Sequence, residues 1–184
     1  MPNQLINTYY NALHRFKQYG GSHNETSLEH AFIGLVNSYA EKHHLLLVPK
    51  ISVVGKKGNN IIPDGVLKNA MRLEFGYWES KDSKDDLDRE IHKKLYEDGY
   101  PDRNILFEDS VTAVLIQERE EVMRVPMKEA DKLDEILTRF ITFEPLQVRE
   151  FNKALAQFTQ DVPVIVENLR ELIERQAEAN KDFI

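Results

Sequence analysis

The sequence predicts an α/β domain in which helices flank a mixed central sheet, followed by a carboxy-terminal helical extension. Three observations predict it. Apolar residues recur at helical spacing near the start, short β-branched and aromatic segments separated by turn signals fill the middle, and a heptad-like apolar stripe runs through the last third. At 184 residues, 41% hydrophobic and 30% charged, the chain is long enough for one domain with a core and an appendage, and its composition is that of a globular protein.

The elements follow in order. Leu5, Tyr9, Leu13 and Phe16 share a helix face that ends at Gly20-Gly21, and a second helix from near Ser22 turns Leu28, Phe32, Leu35, Val36 and Tyr39 inward. Residues 45–54, LLLVPKISVV, read as one buried strand, and residues 55–60, GKKGNN, as a hairpin loop. In residues 61–82, IIPDGVLKNAMRLEFGYWESKD, β-branched and aromatic residues on both sides of a polar break near Asn69 predict two strands around a turn. A helix over residues 86–97 places Leu87, Ile91 and Leu95 on one face, and GYPDRN is a turn. NILFED and TAVLIQ are further strands, and EEVMRV pairs with TAVLIQ through a tight polar turn at Glu118 to Glu120. The order is helix, three strands, helix, strand. Phe151, Leu155, Phe158, Val162, Ile165, Leu169 and Leu172 then alternate spacings of four and three, on one long helix or two. Because that stripe stays in phase, Pro163 marks a kink or a fresh helix start, not a hairpin.

Chemistry concentrates around Asp64, Glu79 and Lys81. Strand side chains alternate faces, so Glu79 and Lys81 share one face while Ser80 points to the other and leaves its backbone carbonyl edgewise to the site. With a turn centred on residues 69–72, Asp64 falls opposite Tyr77, on the Glu79 face and about 7 Å from Glu79 along the diagonal. Two carboxylates and a carbonyl suit magnesium, which takes oxygen ligands and asks for only one or two protein carboxylates beside phosphate and water. Lys81 would orient the attacking water and offset phosphate charge, and the ion would supply the electrophilic help that an anionic diester needs. Taken singly, an Asp in a turn and a Glu-x-Lys pair on a strand are ordinary surface features. Together they lie among Ile61, Ile62, Val66, Leu73, Phe75 and Trp78, where charges are not normally turned inward without use.

Asp64 within PDG and Glu79-Ser80-Lys81 resemble the motif of the PD-(D/E)xK nuclease superfamily. The longer pattern PDG, GYWESKD, DLDREIHKK, GYP, NILFEDS and AVLIQ, about residues 63–117, resembles the amino-terminal nuclease segment of single-chain restriction-modification enzymes with a fused adenine methyltransferase. The resemblance implies a restriction-endonuclease-like core and a magnesium-dependent DNA endonuclease, with manganese able to substitute, that leaves a 5′-phosphate and a 3′-hydroxyl. It also implies an acidic residue near the start of the helix preceding the sheet, where HNETS places Glu25. Glu25 has two readings, a metal or water-orienting group or the acidic partner of Ser22 in a capping box. Thr26 and Glu29 offer a second capping box, and Glu29 reads as solvated. Gln117 closes a strand near the sheet edge, where related nucleases sometimes carry a glutamine, without an assigned role.

Other polar groups read as structural. His43-His44 suits a helix end, and Lys56, Lys57, Arg89, Lys93 and Lys94 read as solvated charges or contacts to flanking phosphates. Without cysteine the chain has neither a disulfide framework nor a thiol nucleophile. The start shows no leader-like apolar region and no run approaches a membrane span, which predicts a cytoplasmic protein with no membrane partner. A net charge of −7 is wrong for gripping DNA alone. Double-stranded DNA is therefore expected to be held mainly by other domains, namely methyltransferase and target-recognition domains in the same polypeptide or a partner chain. These residues themselves carry neither a methyl-donor loop nor a motor's phosphate-binding loop. The expected division is a nuclease domain over residues 1–127 and a helical extension or connector over residues 128–184. The competing reading is a non-catalytic interaction domain that keeps the nuclease fold. A repair or junction nuclease would need a basic surface that the sequence lacks.

Overall fold

A computed structural model describes residues 2–20, 25–144 and 146–180. The chain divides into two compact units, Met1–Phe143 and Glu144–Ile184. The first unit opens with α1 (Pro2–Gly20) and α2 (Glu25–Ala40), and a short 3-10 turn, Glu41–His43, leads into the sheet. His44 takes a left-handed conformation there, and both His43 and His44 are exposed.

Six strands form the main sheet: β1 (Leu45–Pro49), β4 (Gly65–Asn69), β5 (Glu74–Ser80), β6 (Asn104–Glu108), β7 (Thr112–Gln117) and β8 (Glu120–Pro126), in the order β1-β4-β5-β6-β7-β8. The β5–β6 pair is parallel and the other four pairings are antiparallel. A parallel pair needs a crossover, and α3 (Leu87–His92) with the following π turn Lys93–Glu97 provides it. Asp86 caps α3 by accepting from the Asp88 and Arg89 backbone amides at 3.1 and 3.2 Å. At the β7–β8 turn Glu118 and Arg119 both have positive φ, which matches the twist of a two-residue hairpin.

Residues 45–54 form two strands, not one. β1 ends at Pro49, whose ring cannot donate a ladder hydrogen bond, and Lys50 turns left-handed at φ 51. β2 (Val53–Val54) then pairs with β3 (Asn60–Ile61) in a separate two-stranded sheet. The register of β4 on β5 also differs from expectation, because Gly65 pairs with Trp78 and Val66 with Tyr77. Lys68 faces Glu74 and Leu67 faces Gly76, so Phe75 is an extra bulged residue that slides β5 along its partner. Together with a turn set one residue further along, the bulge shifts the register by two, so Asp64 stays on the Glu79 side.

Two apolar clusters sandwich the sheet. One joins α1 and α2 to Leu47, Leu67, Trp78, Leu106 and Leu115, and Phe32 stacks on Trp78 at 5.4 Å. α4 (Ala130–Ile141) completes it by burying Leu133, Ile136, Leu137, Phe140 and Ile141. The compact unit therefore extends past the expected boundary at residue 127 to Phe143, the difference being α4. A buried amide network fixes that helix: the Asn104 side chain donates to the Phe75 and Phe140 carbonyls at 2.9 Å and accepts from Gln117 Nε2 at 3.0 Å, and Gln117 also donates to the Arg139 carbonyl. Gln117 is thus buried on the penultimate strand as a packing residue. The close approach requires Gly76, where a Cβ would meet Asn104 and Phe140 at 2.7 Å. On the opposite face Val66, Ile105, Phe107 and Val114 pack with Leu87, Ile91 and Leu95 of the crossover, and with Val53, Ile61 and Tyr100.

Among its described residues the second unit has one helix, α5 (Leu146–Ala179), which runs unbroken through Pro163. Leu155, Phe158, Ile165, Leu169 and Leu172 are each at least half exposed, while the Phe151 side chain lies outside the described residues. Among the described residues no helix is long and apolar enough to cross a membrane.

Candidate active site

Asp64 and Glu79 come together where β4 begins and β5 ends. Asp64 Oδ2 accepts the Ser80 backbone N–H at 2.8 Å, and Asp64 Oδ1 accepts Lys50 Nζ. Lys50 also approaches Glu29 Oε1 at 3.7 Å. Its hydrogen bond to Asp64 holds the Lys50 ammonium above the usual lysine value against the opposing effect of burial, and Asp64, Glu29 and Glu79 all add to it through charge. The left-handed backbone at Lys50, costly for a residue with a Cβ, aims this side chain at the carboxylates.

Glu79 is 3% exposed. Its Oε1 accepts Lys81 Nζ at 3.0 Å and Lys94 Nζ at 2.8 Å, whereas its Oε2 is buried and has no hydrogen-bond partner. An unpartnered buried carboxylate oxygen is expensive and marks a place where a cation fits. Lys81 also reaches Glu90 at 3.6 Å. Lys94 donates to the Tyr100 hydroxyl at 3.0 Å, and Tyr100 donates to the Ile62 carbonyl at 3.3 Å. Burial alone would lower the Lys94 ammonium, but the hydrogen bonds to Glu79 and Tyr100 outweigh it and hold it above the usual value. Burial raises the Tyr100 hydroxyl, Lys94 works against that rise, and the charges of both Glu79 and Asp64 add to it. The register that sets Gly65 opposite Trp78 continues to Asp64 and Glu79, and so places the two carboxylates around one locus.

Ser80 turns its side chain to the other face, where it bonds Glu108. Glu108 is fully buried, accepts the Ser110 backbone N–H at 2.7 Å, and is pushed up to about 7 by burial, with the Ser80 and Ser110 hydrogen bonds holding it from rising further. Lys81 N–H donates to the Glu108 carbonyl at 2.8 Å, which extends the parallel pairing just past β5.

Of the residues singled out in the sequence, Asp64, Glu79, Ser80 and Lys81 converge. Glu25 opens α2, but its side chain and Ser22 lie outside the described residues, so both of its readings stand. Sequence reasoning missed Lys50, Glu29 and Lys94. Glu29 is only partly exposed and faces Lys50, and Lys94 grips Glu79, so neither is the solvated charge expected. The lone signal was the position of Lys94 one turn beyond Glu90 on the helix after the motif. Lys56 instead pairs with Asp102 at 2.7 Å and Lys57 donates to the Glu97 carbonyl at 2.6 Å, both at the small hairpin. Among the described residues no group of three or more His, Cys, Asp or Glu side chains is placed to hold a metal, so an ion here would rely on two carboxylates with backbone oxygen and water.

No protein family and no curated protein matches the chain. Seven chains of solved structures do. A chain of the DrdV–DNA complex, determined by electron cryo-microscopy, is 44% identical and aligns over 98% of this chain with a TM-score of 0.83. The fold is restriction-endonuclease-like. The match spans 18% of the DrdV chain.

Proposed function

We propose that this chain is the DNA-cleaving domain of a restriction-modification enzyme, a magnesium-dependent endonuclease that hydrolyses phosphodiester bonds to 5′-phosphate and 3′-hydroxyl ends. The observation that carries the reading is Glu79, a buried carboxylate with one unpartnered oxygen, set beside Asp64 and Lys81 at the end of β5. Its likeness to a chain of a protein–DNA complex supports DNA as the substrate. Asp64, Glu79 and the Ser80 carbonyl would hold magnesium, and manganese would serve in its place. Bound there, the ion would supply charge neutralisation at the phosphate and a more acidic water. Lys81 orients the attacking water and offsets the phosphate charge, and Glu25 is proposed to assist from the start of α2. Burial of Glu79 among apolar residues lowers the local dielectric and strengthens each of these interactions.

The chain carries a net charge of −7, and a polyanion feels that repulsion over a Debye length of about 10 Å at 0.1 M salt. Gripping the duplex is therefore assigned to methyltransferase and target-recognition domains in the same polypeptide or a partner chain, with α5 as the connector. The enzyme would act in the cytoplasm. The same acidity favours a second reading, a non-catalytic docking domain.

Cleavage of supercoiled DNA by the parent assembly separates the two readings. Activity should stop with chelator, return with magnesium or manganese, and fall by about a thousandfold or more in Asp64→Ala and Glu79→Gln. Glu79→Gln is the better probe, because Glu79→Ala strands two partly buried ammonium groups and costs stability as well. Undiminished cutting by both variants refutes the site, and an assembly that never cuts favours docking.

A further inference from the structure

Two ammonium groups, Lys81 at 3.0 Å and Lys94 at 2.8 Å, crowd onto the single oxygen Oε1 of Glu79, while the other oxygen has no partner. One ammonium is enough to neutralise one carboxylate. A second on the same oxygen adds repulsion between two cations in a water-poor setting, so a fixed structural pair does not explain it. The two lysines also differ in what else they hold. Lys81 follows β5 directly and has Glu90 as its second carboxylate at 3.6 Å. Lys94 reaches in from the crossover, with its ammonium 4.6 Å from the centre of the Tyr100 ring and 3.0 Å from that hydroxyl, and with Asp98 at 3.9 Å. It therefore keeps partners of its own when Glu79 is taken. Its backbone lies in the five-residue π turn, where Asp98 N–H donates to the Lys93 carbonyl, an irregular pattern found mostly at functional positions.

Resting on the metal-site reading above, we propose that Lys94 is a positioning residue that occupies Glu79 in the ion-free enzyme, competes with the divalent cation for it, and releases Glu79 while keeping Tyr100 when the cation binds. Lys94 thereby sets the divalent-ion concentration at which the site loads. The device keeps Glu79 compensated in the absence of metal and makes loading depend on ion concentration.

Manganese binding to residues 1–184, measured by titration calorimetry without DNA, tests this independently of cleavage. Lys94→Met should bind manganese about tenfold tighter than the native chain, because a competing charge is gone. Tyr100→Phe removes the hydroxyl that holds Lys94 once Glu79 is released, ties Lys94 more closely to Glu79, and should bind manganese severalfold more weakly. Opposite shifts are not the signature of a structural pair, whose loss would lower the melting temperature and weaken binding in both. Lys94→Gln replaces Lys94→Met if the latter fails to fold, as judged by circular dichroism. Affinity equal to or weaker than native in the folded Lys94 variant, with binding abolished in Glu79→Gln, overturns the Lys94 proposal and leaves the metal site standing. No manganese binding by the native chain, or native binding by Glu79→Gln, overturns the site reading and this proposal with it.

Discussion

On one face of the six-stranded sheet α1, α2 and α4 pack Ile6, Phe32 and Phe140 against Leu47, Trp78 and Leu115, and side-chain hydrogen bonds tie the cover together, Tyr10 donating to the Met127 carbonyl and Tyr39 to Asp134. On the other, one short helix, a π turn and a two-stranded sheet cover a smaller cluster, and Asp64, Glu79, Lys81 and Lys94 gather at its end. The first face buries apolar surface almost without charge. The second trades apolar cover for ionic groups that satisfy one another incompletely, as the bare Oε2 of Glu79 shows. Stability and chemistry are thereby assigned to opposite sides of the same strands, and β5 serves both, Trp78 facing one way and Glu79 the other.

That division can be broken most forcefully at Phe140. Phe140→Ala should cost about 3–5 kcal/mol of stability by denaturant melting, from lost transfer energy and the cavity left under α4. Under conditions where the variant remains folded its manganese affinity should match native, and a parallel loss of metal binding would mean that the faces are not separate.

Glu108 is the exception on the apolar side, and it sharpens the comparison through pH. Its carboxyl, pushed up from 4.5 to about 7, binds more protons in the folded than in the unfolded chain between those values. Stability should therefore fall as pH rises from 4.5 through 7, by up to about 3 kcal/mol for this group. Melting curves at pH 5 and pH 8 should show the loss, and Glu108→Gln should remove most of it. A native chain more stable at pH 8 than at pH 5, with Glu108→Gln lacking that gain, would reverse the sign.

A smaller effect is expected at the thin cover. Asp86→Ala removes the cap of α3 and should cost about 1 kcal/mol, seen as faster amide exchange over residues 87–97. The smallest belongs to α5. Asp placed at both Leu155 and Phe158, each more than half exposed, should change the melting of the isolated chain by less than about 0.5 kcal/mol. If α5 docks a following domain, the same double variant should impair cleavage by the full assembly.

Local signals carried far in this sequence. Helical spacing marked α1, α2 and α3, the polar break near Asn69 marked the β4–β5 turn, and alternation put Glu79 and Lys81 on one face, where they meet at 3.0 Å. What was hidden depended on contacts between distant residues. The spacing of Leu133, Ile136, Leu137, Phe140 and Ile141 is a local signal of an apolar helix face, but it does not say whether that face covers this sheet or a following domain. The break at Lys50 required a residue without the usual left-handed preference to adopt that conformation. Lys94 and Glu29 resemble any other helix charge until the fold sets Glu79 or Lys50 opposite them. A turn displaced by one residue and the one-residue bulge at Phe75 together shifted the pairing by two, which is why the face was legible and the register was not.

The parallel pairing of β5 with β6 has a further consequence, for the order of events during synthesis. Hairpins such as β4–β5 close on their own neighbours, but β6 reaches β5 only after the whole crossover has been laid down and packed. Lys81 is then tied to the Glu108 carbonyl, and Lys94 arrives on the crossover itself. A chain still emerging from the ribosome carries Asp64 and Glu79 long before it carries the strand that seats Glu79 in the interior. On the proposed reading, any capacity to cut would have to wait for the crossover and β6.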